Sequence, residues 1–135
     1  MHPEKMKNVL ALNDQERLGY FIKKCADSGE VWGLRNEEGW CGMGTEDDAE
    51  AMPLWPEEAF AALLAVDDWA GCKPALIPLR DFLKHWLPGM DKDGVLAAVF
   101  PILNDSPSGM SAVAVRGEEL KSLLLDECEQ YGGLS

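Results

Sequence analysis

Residues 95–103 read VLAAVFPIL, nine positions with neither a charge nor a hydrogen-bonding side chain. Asp91, Lys92, Asp93 and Gly94 bound the run on one side and a polar stretch at 104–109 bounds it on the other. At that length it falls far short of the roughly 18 residues a membrane span requires. It has no polar face to offer solvent, so it suits a strand buried on both faces, the central strand of a sheet. A strand of that kind needs cover above and below, and the rest of the chain must supply it.

The cover is legible as helices interleaved with strands. Asn13 followed by Glu16 is a capping-box pattern, and Leu18, Phe21, Ile22 and Cys25 recur at helical spacing until Ser28 and Gly29, which predicts a helix over 14–28. Residues 30–35 and 40–44 flank Asn36, Glu37, Glu38 and Gly39, a polar turn, and read as a β-hairpin. An acidic loop at 45–50 leads to a strand at 51–55, and Pro56 suits the first turn of a helix carrying Phe60, Leu63 and Leu64, which fades near 67–71. A strand at 75–78 precedes a helical stripe of Leu79, Phe82, Leu83 and Trp86 that Pro88 and Gly89 are expected to end, with a tight turn at 91–94. After the central strand come a strand at 111–115 and a helix at 118–131 with Leu120, Leu123, Leu124, Cys128 and Tyr131 inward, capped by Gly132 and Gly133. The expected class is α+β, a single domain with a mixed sheet partly covered by helices. With 135 residues, no repeat and no linker, one globular unit over 1–135 is expected, its core at roughly 13–131.

The net charge of −12 disfavours a grip on nucleic-acid phosphates or anionic lipid. The acidity is regional: residues 30–68 hold 1 base, Arg35, against 11 acids. The plain reading is a set of solvated carboxylates that keep the molecule soluble and favour helix N-termini. The other reading is a surface for a basic partner. The short apolar run at residues 9–12, cut off by Asn13 and Asp14, is too small for a signal-peptide centre, so a mature chain is expected. Cys25, Cys41, Cys72 and Cys128 form no CxxC pair and have no histidines at zinc spacing, so no metal site is expected. Cys25 and Cys128 fall on or near apolar helix faces, as free thiols do in reduced cytosolic proteins, and the cytoplasm is the expected address.

The segments VWGL at 31–34, LWPE at 54–57 and IPLRDFL at 77–83, together with Glu16, Arg17, Phe21 and Ile22, resemble the small bacterial domain-of-unknown-function 2750 family over roughly residues 13–131. The resemblance implies a bacterial source and a single compact domain, and it carries no activity, substrate or cofactor. In element order, with an apolar strand before a terminal helix holding Glu118, Glu119, Leu120 and Leu124, the chain is also similar to the N-terminal domain of SseB-type enhanced serine sensitivity proteins.

Reactive constellations are incomplete. Trp40, Cys41, Gly42, Met43 and Gly44 resemble the start of a thioredoxin motif, but Gly44 stands where the resolving cysteine belongs, and the nearby acids would raise a thiol pKa. His85 has Asp81 four residues before it and no nucleophile in predicted reach, which suits a surface histidine. Asp91, Asp93 and Gly94 lack the further ligands of a calcium loop. No catalytic residues and no cofactor are expected. The hairpin says more. If Arg35 opposes Trp40, then Leu34 pairs with Cys41 and Trp32 with Met43 on a core face. Val31, Gly33, Arg35, Trp40, Gly42 and Gly44 then share the other face, a flat shelf with an aromatic anchor. Either helix 14–28 packs on that shelf or it is a recognition surface.

The function expected from these features is a non-enzymatic acidic interaction module of inhibitor or immunity type. Its expected surface comprises Arg35, Trp40, Glu46, Asp47, Asp48, Glu50 and Trp55, and its expected partner is a basic protein. The alternative is a small-molecule-binding domain or an enzyme with a cleft near Trp40, Trp55 and Arg35.

Overall fold

The apolar run forms the strand Leu96–Leu103, which lies inside a four-stranded sheet with a neighbour on each side. The structure, a computed structural model, describes residues 3–44, 50–65, 69–103 and 110–130. In chain order the elements are α1 (Pro3–Leu10), α2 (Asp14–Ser28), β1 (Glu30–Asn36), β2 (Gly39–Trp40), β3 (Met43–Gly44), β4 (Glu50–Leu54), α3 (Glu58–Leu63) and β5 (Lys73–Pro78). One unbroken helical run follows: α4 (Leu79–Asp81), a π-helical turn (Phe82–Trp86) and α5 (Leu87–Asp93). The chain then continues through β6 (Leu96–Leu103), β7 (Met110–Val115) and α6 (Gly117–Gln130). The architecture is α+β.

The expected mixed sheet is divided in two. β3, β4, β6 and β7 lie side by side in that order, β4 parallel to β6 and the outer pairs antiparallel. β2, β1 and β5 form an antiparallel sheet of three. Trp32 and Trp55 link the two by exchanging backbone hydrogen bonds of 2.9 and 2.8 Å. A parallel β4–β6 pair requires a crossover, and the stretch from α3 to α5 provides it.

The core forms where α2, α3 and α6 pack on β6 and turn apolar residues toward it. Ala97, Ala98, Val99 and Phe100 of β6 are buried, as are Phe21 and Cys25 of α2 and Leu120, Leu124 and Cys128 of α6. The α2 capping box is complete: the Asn13 Oδ1 accepts from the Glu16 N–H at 2.8 Å, and the Glu16 Oε1 accepts from the Asn13 N–H at 3.1 Å. Such a cap contributes about 1 kcal/mol. Arg17, 3% exposed, holds the turn before α2 by donating to the Leu12 carbonyl at 2.5 Å and pairing with Asp14.

Several local expectations are corrected. α1 was not foreseen, because its eight residues carry no long apolar stripe, though Val9 is buried. Leu63 is exposed, since the face that α3 buries is that of Phe60, Ala61 and Leu64, and Leu63 lies to one side of it. Pro88 and Gly89 do not end the helix. In α geometry Pro88 would deny the Lys84 carbonyl its donor and press its ring on it. Instead the turn widens, Leu87 donating five residues back to the Phe82 carbonyl, and α5 restarts with Pro88 in its first turn, where no donor is needed. Gly94, at φ 74°, is the true stop, so 91–93 are helical, not a tight turn. A further correction, to the pairing of the hairpin, belongs to the site. The expected C-terminal cap at Gly132 and Gly133, with Tyr131, lies outside the described residues.

β6 carries one irregularity. Phe100 has φ 52° where the register with β7 shifts between Val99 and Ile102. A bulky residue in that region is strained. The bulge turns the buried Phe100 ring onto Phe60, with centroids 4.8 Å apart, and onto Tyr20 at 6.0 Å. It also leaves the Pro101 carbonyl to accept a 2.9 Å bond from the Trp55 indole N–H.

Candidate functional site

The hairpin forms in the expected register at its tip, with Arg35 opposite Trp40 and Asn36 opposite Gly39. The Asn36 Oδ1 accepts from the Glu38 N–H at 2.8 Å and closes the turn. One more bond, from the Cys41 N–H to the Leu34 carbonyl at 2.8 Å, continues it. There the expected pairing fails. Trp32 does not face Met43, because that edge of β1 is occupied by Trp55, and Met43 pairs with Ala51 in the other sheet.

The glycine shelf is also corrected. A Cβ at Gly33 would lie 3.0 and 3.1 Å from ring carbons of Trp40 and 3.4 Å from Met52 Cε. Neither α2 nor open solvent covers this position; the ring of Trp40 itself lies on it. Thus Gly33 is the seat that lets the Trp40 ring lie close to β1.

Two further groups hold that ring. Trp86, the last residue of the π turn, meets it edge to face, with centroids 4.9 Å apart and planes at 87°. The Arg35 guanidinium carbon stands 5.7 Å from the Trp40 centroid, in cation–π range. Trp40 and Trp86 are half-buried and Arg35 is exposed, so the cluster is open to solvent. Trp86 was missed as a site residue because the stripe of Leu79, Phe82 and Leu83 implied that it faces the core.

The remaining expected surface residues separate. Glu50, Glu37 and Glu38 are exposed, as is Glu58. Glu46, Asp47 and Asp48 lie outside the described residues, and so do Asp67 and Asp68. Trp55 is fully buried, its ring edge to face with Trp69 at 6.2 Å, and belongs to no surface or cleft with Trp40 and Arg35. Glu57 is not a free outward carboxylate. It accepts from the Tyr20 hydroxyl at 3.2 Å and lies 3.4 Å from the Lys24 and 4.0 Å from the Lys5 ammonium, tying α1 and α2 to the start of α3. Burial, and then the Glu57 charge beside it, pushes the Tyr20 hydroxyl up to about 12.

Cys41 and Cys72 are joined in a disulfide, with Cα atoms 7.2 Å apart. Cys25 and Cys128 are free and buried, and burial pushes the Cys25 thiol well above its usual range. Such a thiol is a poor nucleophile. His85 is exposed. Among the described residues no three His, Cys, Asp or Glu side chains are grouped to hold a metal ion, and no helix is long and apolar enough to cross a membrane.

Comparison with known proteins gives one family. The family model described as a protein of unknown function, DUF2750, matches residues 18–121. No curated protein matches the chain. Among solved structures, Anabaena Tic22 (protein transport) is similar at 16% identity and a TM-score of 0.39, over 92% of this chain and 56% of that one. The chain thus spans little more than half the length of that structure, and the likeness is too slight to bear on function. The SseB-type resemblance gains no support from these comparisons.

Proposed function

The chain belongs to the DUF2750 family, and from that premise we propose that it is a non-enzymatic protein-interaction module whose contact surface is centred on Arg35, Trp40 and Trp86, with a basic protein segment as its partner. The observation that carries this reading is the assembled cluster: Trp40 seated on the buried Gly33, buttressed by Trp86 and topped by Arg35, with both rings half-buried and Arg35 exposed. Tryptophan and arginine are the commonest anchors of protein interfaces, and a ring held from two sides gives up little conformational freedom on binding. Charge selects the partner. Glu37 and Glu38 stand exposed at the hairpin tip between Arg35 and Trp40 in sequence, within the most acidic third of the chain. Such a field steers Lys- and Arg-rich segments toward the aromatic anchor and repels acidic ones.

The test is selection from a displayed random peptide library against the full chain, in parallel with Trp40→Ala and with Glu37→Lys/Glu38→Lys. Enrichment of basic, aromatic-containing peptides is expected. Their binding should fall about tenfold or more in each variant and weaken with salt. Enrichment of neutral or acidic peptides, or binding indifferent to both variants, overturns the proposal.

A further inference from the structure

We propose that the Cys41–Cys72 pair is a redox latch that holds the Trp40 surface in its binding form, reversibly opened by a small dithiol reductant. This rests on the reading of that surface as the contact site.

The latch sits where the hairpin is weakest. Cys41 directly follows Trp40, at the point where the chain leaves β2 for the other sheet, and Cys72 directly precedes β5. Since β2 and β5 flank β1 on opposite sides, the disulfide spans β1 and ties its two neighbours together. Backbone support for β2 is slight: two paired positions and the single bond from Cys41 to Leu34. Beyond Cys41 a long hydrogen bond, 3.4 Å from the Trp69 indole to the Gly42 carbonyl, holds the crossing segment, which β3 then anchors to β4 at two positions. By contrast, β5 is paired along all six residues to β1 and stays in place without the bond. Opening the disulfide therefore removes the covalent tie on β2 and leaves Trp40 held by the two β1–β2 pairings and its contacts with Gly33, Trp86 and Arg35, while the pairing of β1 with β5 persists.

The chemistry is directional. The Asn36 side-chain amide stands 3.9 Å from Cys72 Sγ as a donor. Cys41 and Cys72 are 9% and 5% exposed, so the reductant reaches the pair when the β2 edge opens locally; attack by its thiolate on Cys41 Sγ then breaks the S–S bond and expels Cys72 as a thiolate at the sulfur where this donor waits. The reductant's second thiol then attacks the mixed disulfide and expels the Cys41 thiolate. The reductant is oxidised to its cyclic disulfide, and the two electrons and two protons pass to the cysteine pair as two thiols. In a reducing compartment such a bond is transient, which suits a switch.

The experiment equilibrates the full chain in graded mixtures of reduced and oxidised dithiothreitol. Thiols are counted by alkylation and mass, secondary structure is followed by far-UV circular dichroism, and Trp40 fluorescence is read as the difference between the wild type and Trp40→Phe. Binding is measured with a basic peptide from the selection above. Two new thiols, unchanged far-UV signal, a shift in the Trp40 emission and a fall in binding of about tenfold, all reversed by oxidation, are expected. Cys41→Ser/Cys72→Ser should behave as the permanently open form. Reduction that leaves Trp40 emission unchanged, or that unfolds the chain, overturns the latch. If instead emission responds but peptide binding ignores Trp40→Ala, the surface reading fails and the latch on Trp40 stands.

Discussion

Replacing Gly33 by alanine isolates the Trp40 seat from the rest of the fold. Two effects oppose each other. Gly33 is in a strand with ordinary φ, so alanine there restricts the unfolded chain and should stabilise by about 0.5–1 kcal/mol. The new methyl, however, would lie 3.0 and 3.1 Å from the Trp40 ring, which must move outward by several tenths of an ångström. Moving it forfeits the edge-to-face contact with Trp86, about 0.5–1.5 kcal/mol, and the exposed cation–π contact with Arg35, about 0.5–1 kcal/mol. The net effect in the wild type is a loss of about 0.5–1.5 kcal/mol. With Trp40 already replaced by alanine, only the flexible end of Met52 remains near the new methyl, at 3.4 Å, and Gly33→Ala should stabilise. The double-mutant cycle, read by urea denaturation, should therefore give a coupling of about 1–2.5 kcal/mol with opposite signs in the two backgrounds. A coupling below about 0.5 kcal/mol, within ordinary additivity error, would refute the claim that Gly33 exists to seat this ring.

Other parts of the structure answer to separate measurements. Trp55→Phe removes the donor to the buried Pro101 carbonyl and some core volume, and should lower stability by about 2–4 kcal/mol; a loss under about 0.5 kcal/mol would show that the β6 bulge does not depend on that bond. The Tyr20 hydroxyl, at about 12 against an ordinary 10.0, is favoured neutral by the fold, so its contribution is complete below pH 10 and is lost as pH rises through 12. Cys25, raised from 9.0 chiefly by burial, acts in the same direction from a lower onset. Tyr20→Phe should flatten the alkaline stability curve between pH 10 and 12, and an unchanged slope would remove Tyr20 as its cause. Pro88→Ala should let the π turn relax toward α geometry and reduce the near-ultraviolet signal of the Trp40–Trp86 pair; an unaltered signal would show that Pro88 is not what widens the turn.

What was legible in the sequence was whatever one short window encodes. The α2 cap needs only Asn13 and Glu16, and the hairpin tip only the four residues between Arg35 and Trp40. The central strand follows from one uninterrupted apolar run. What failed depended on partners distant in sequence. Trp32 is claimed by Trp55 and Leu76 rather than by Met43, a competition that the hairpin sequence does not record. Glu57 looks like one more surface acid until α1 and α2 bring Lys5, Tyr20 and Lys24 to it. Cys41 and Cys72, 31 residues apart, match no spacing motif and meet only because β2 and β5 flank the same strand.

Trp86 shows the same limit within a single helix. In an α-helix Trp86 would sit one turn after Phe82 and share its inward face, which is how its spacing reads. The π turn hydrogen-bonds Leu87 to Phe82, so Leu87 takes the place over Phe82 that Trp86 would otherwise hold. The burial follows that shift: Leu79, Phe82, Leu83, Leu87 and Met90 are buried, and Trp86 is half-buried at the margin of the stripe. Pro88 thus does two things at once. It prevents the α register that would bury Trp86, and the widened turn it imposes carries that ring to the side of the helix where Trp40 lies on Gly33. A residue that sequence reasoning takes as the end of a helix is here the reason the candidate surface has its second tryptophan.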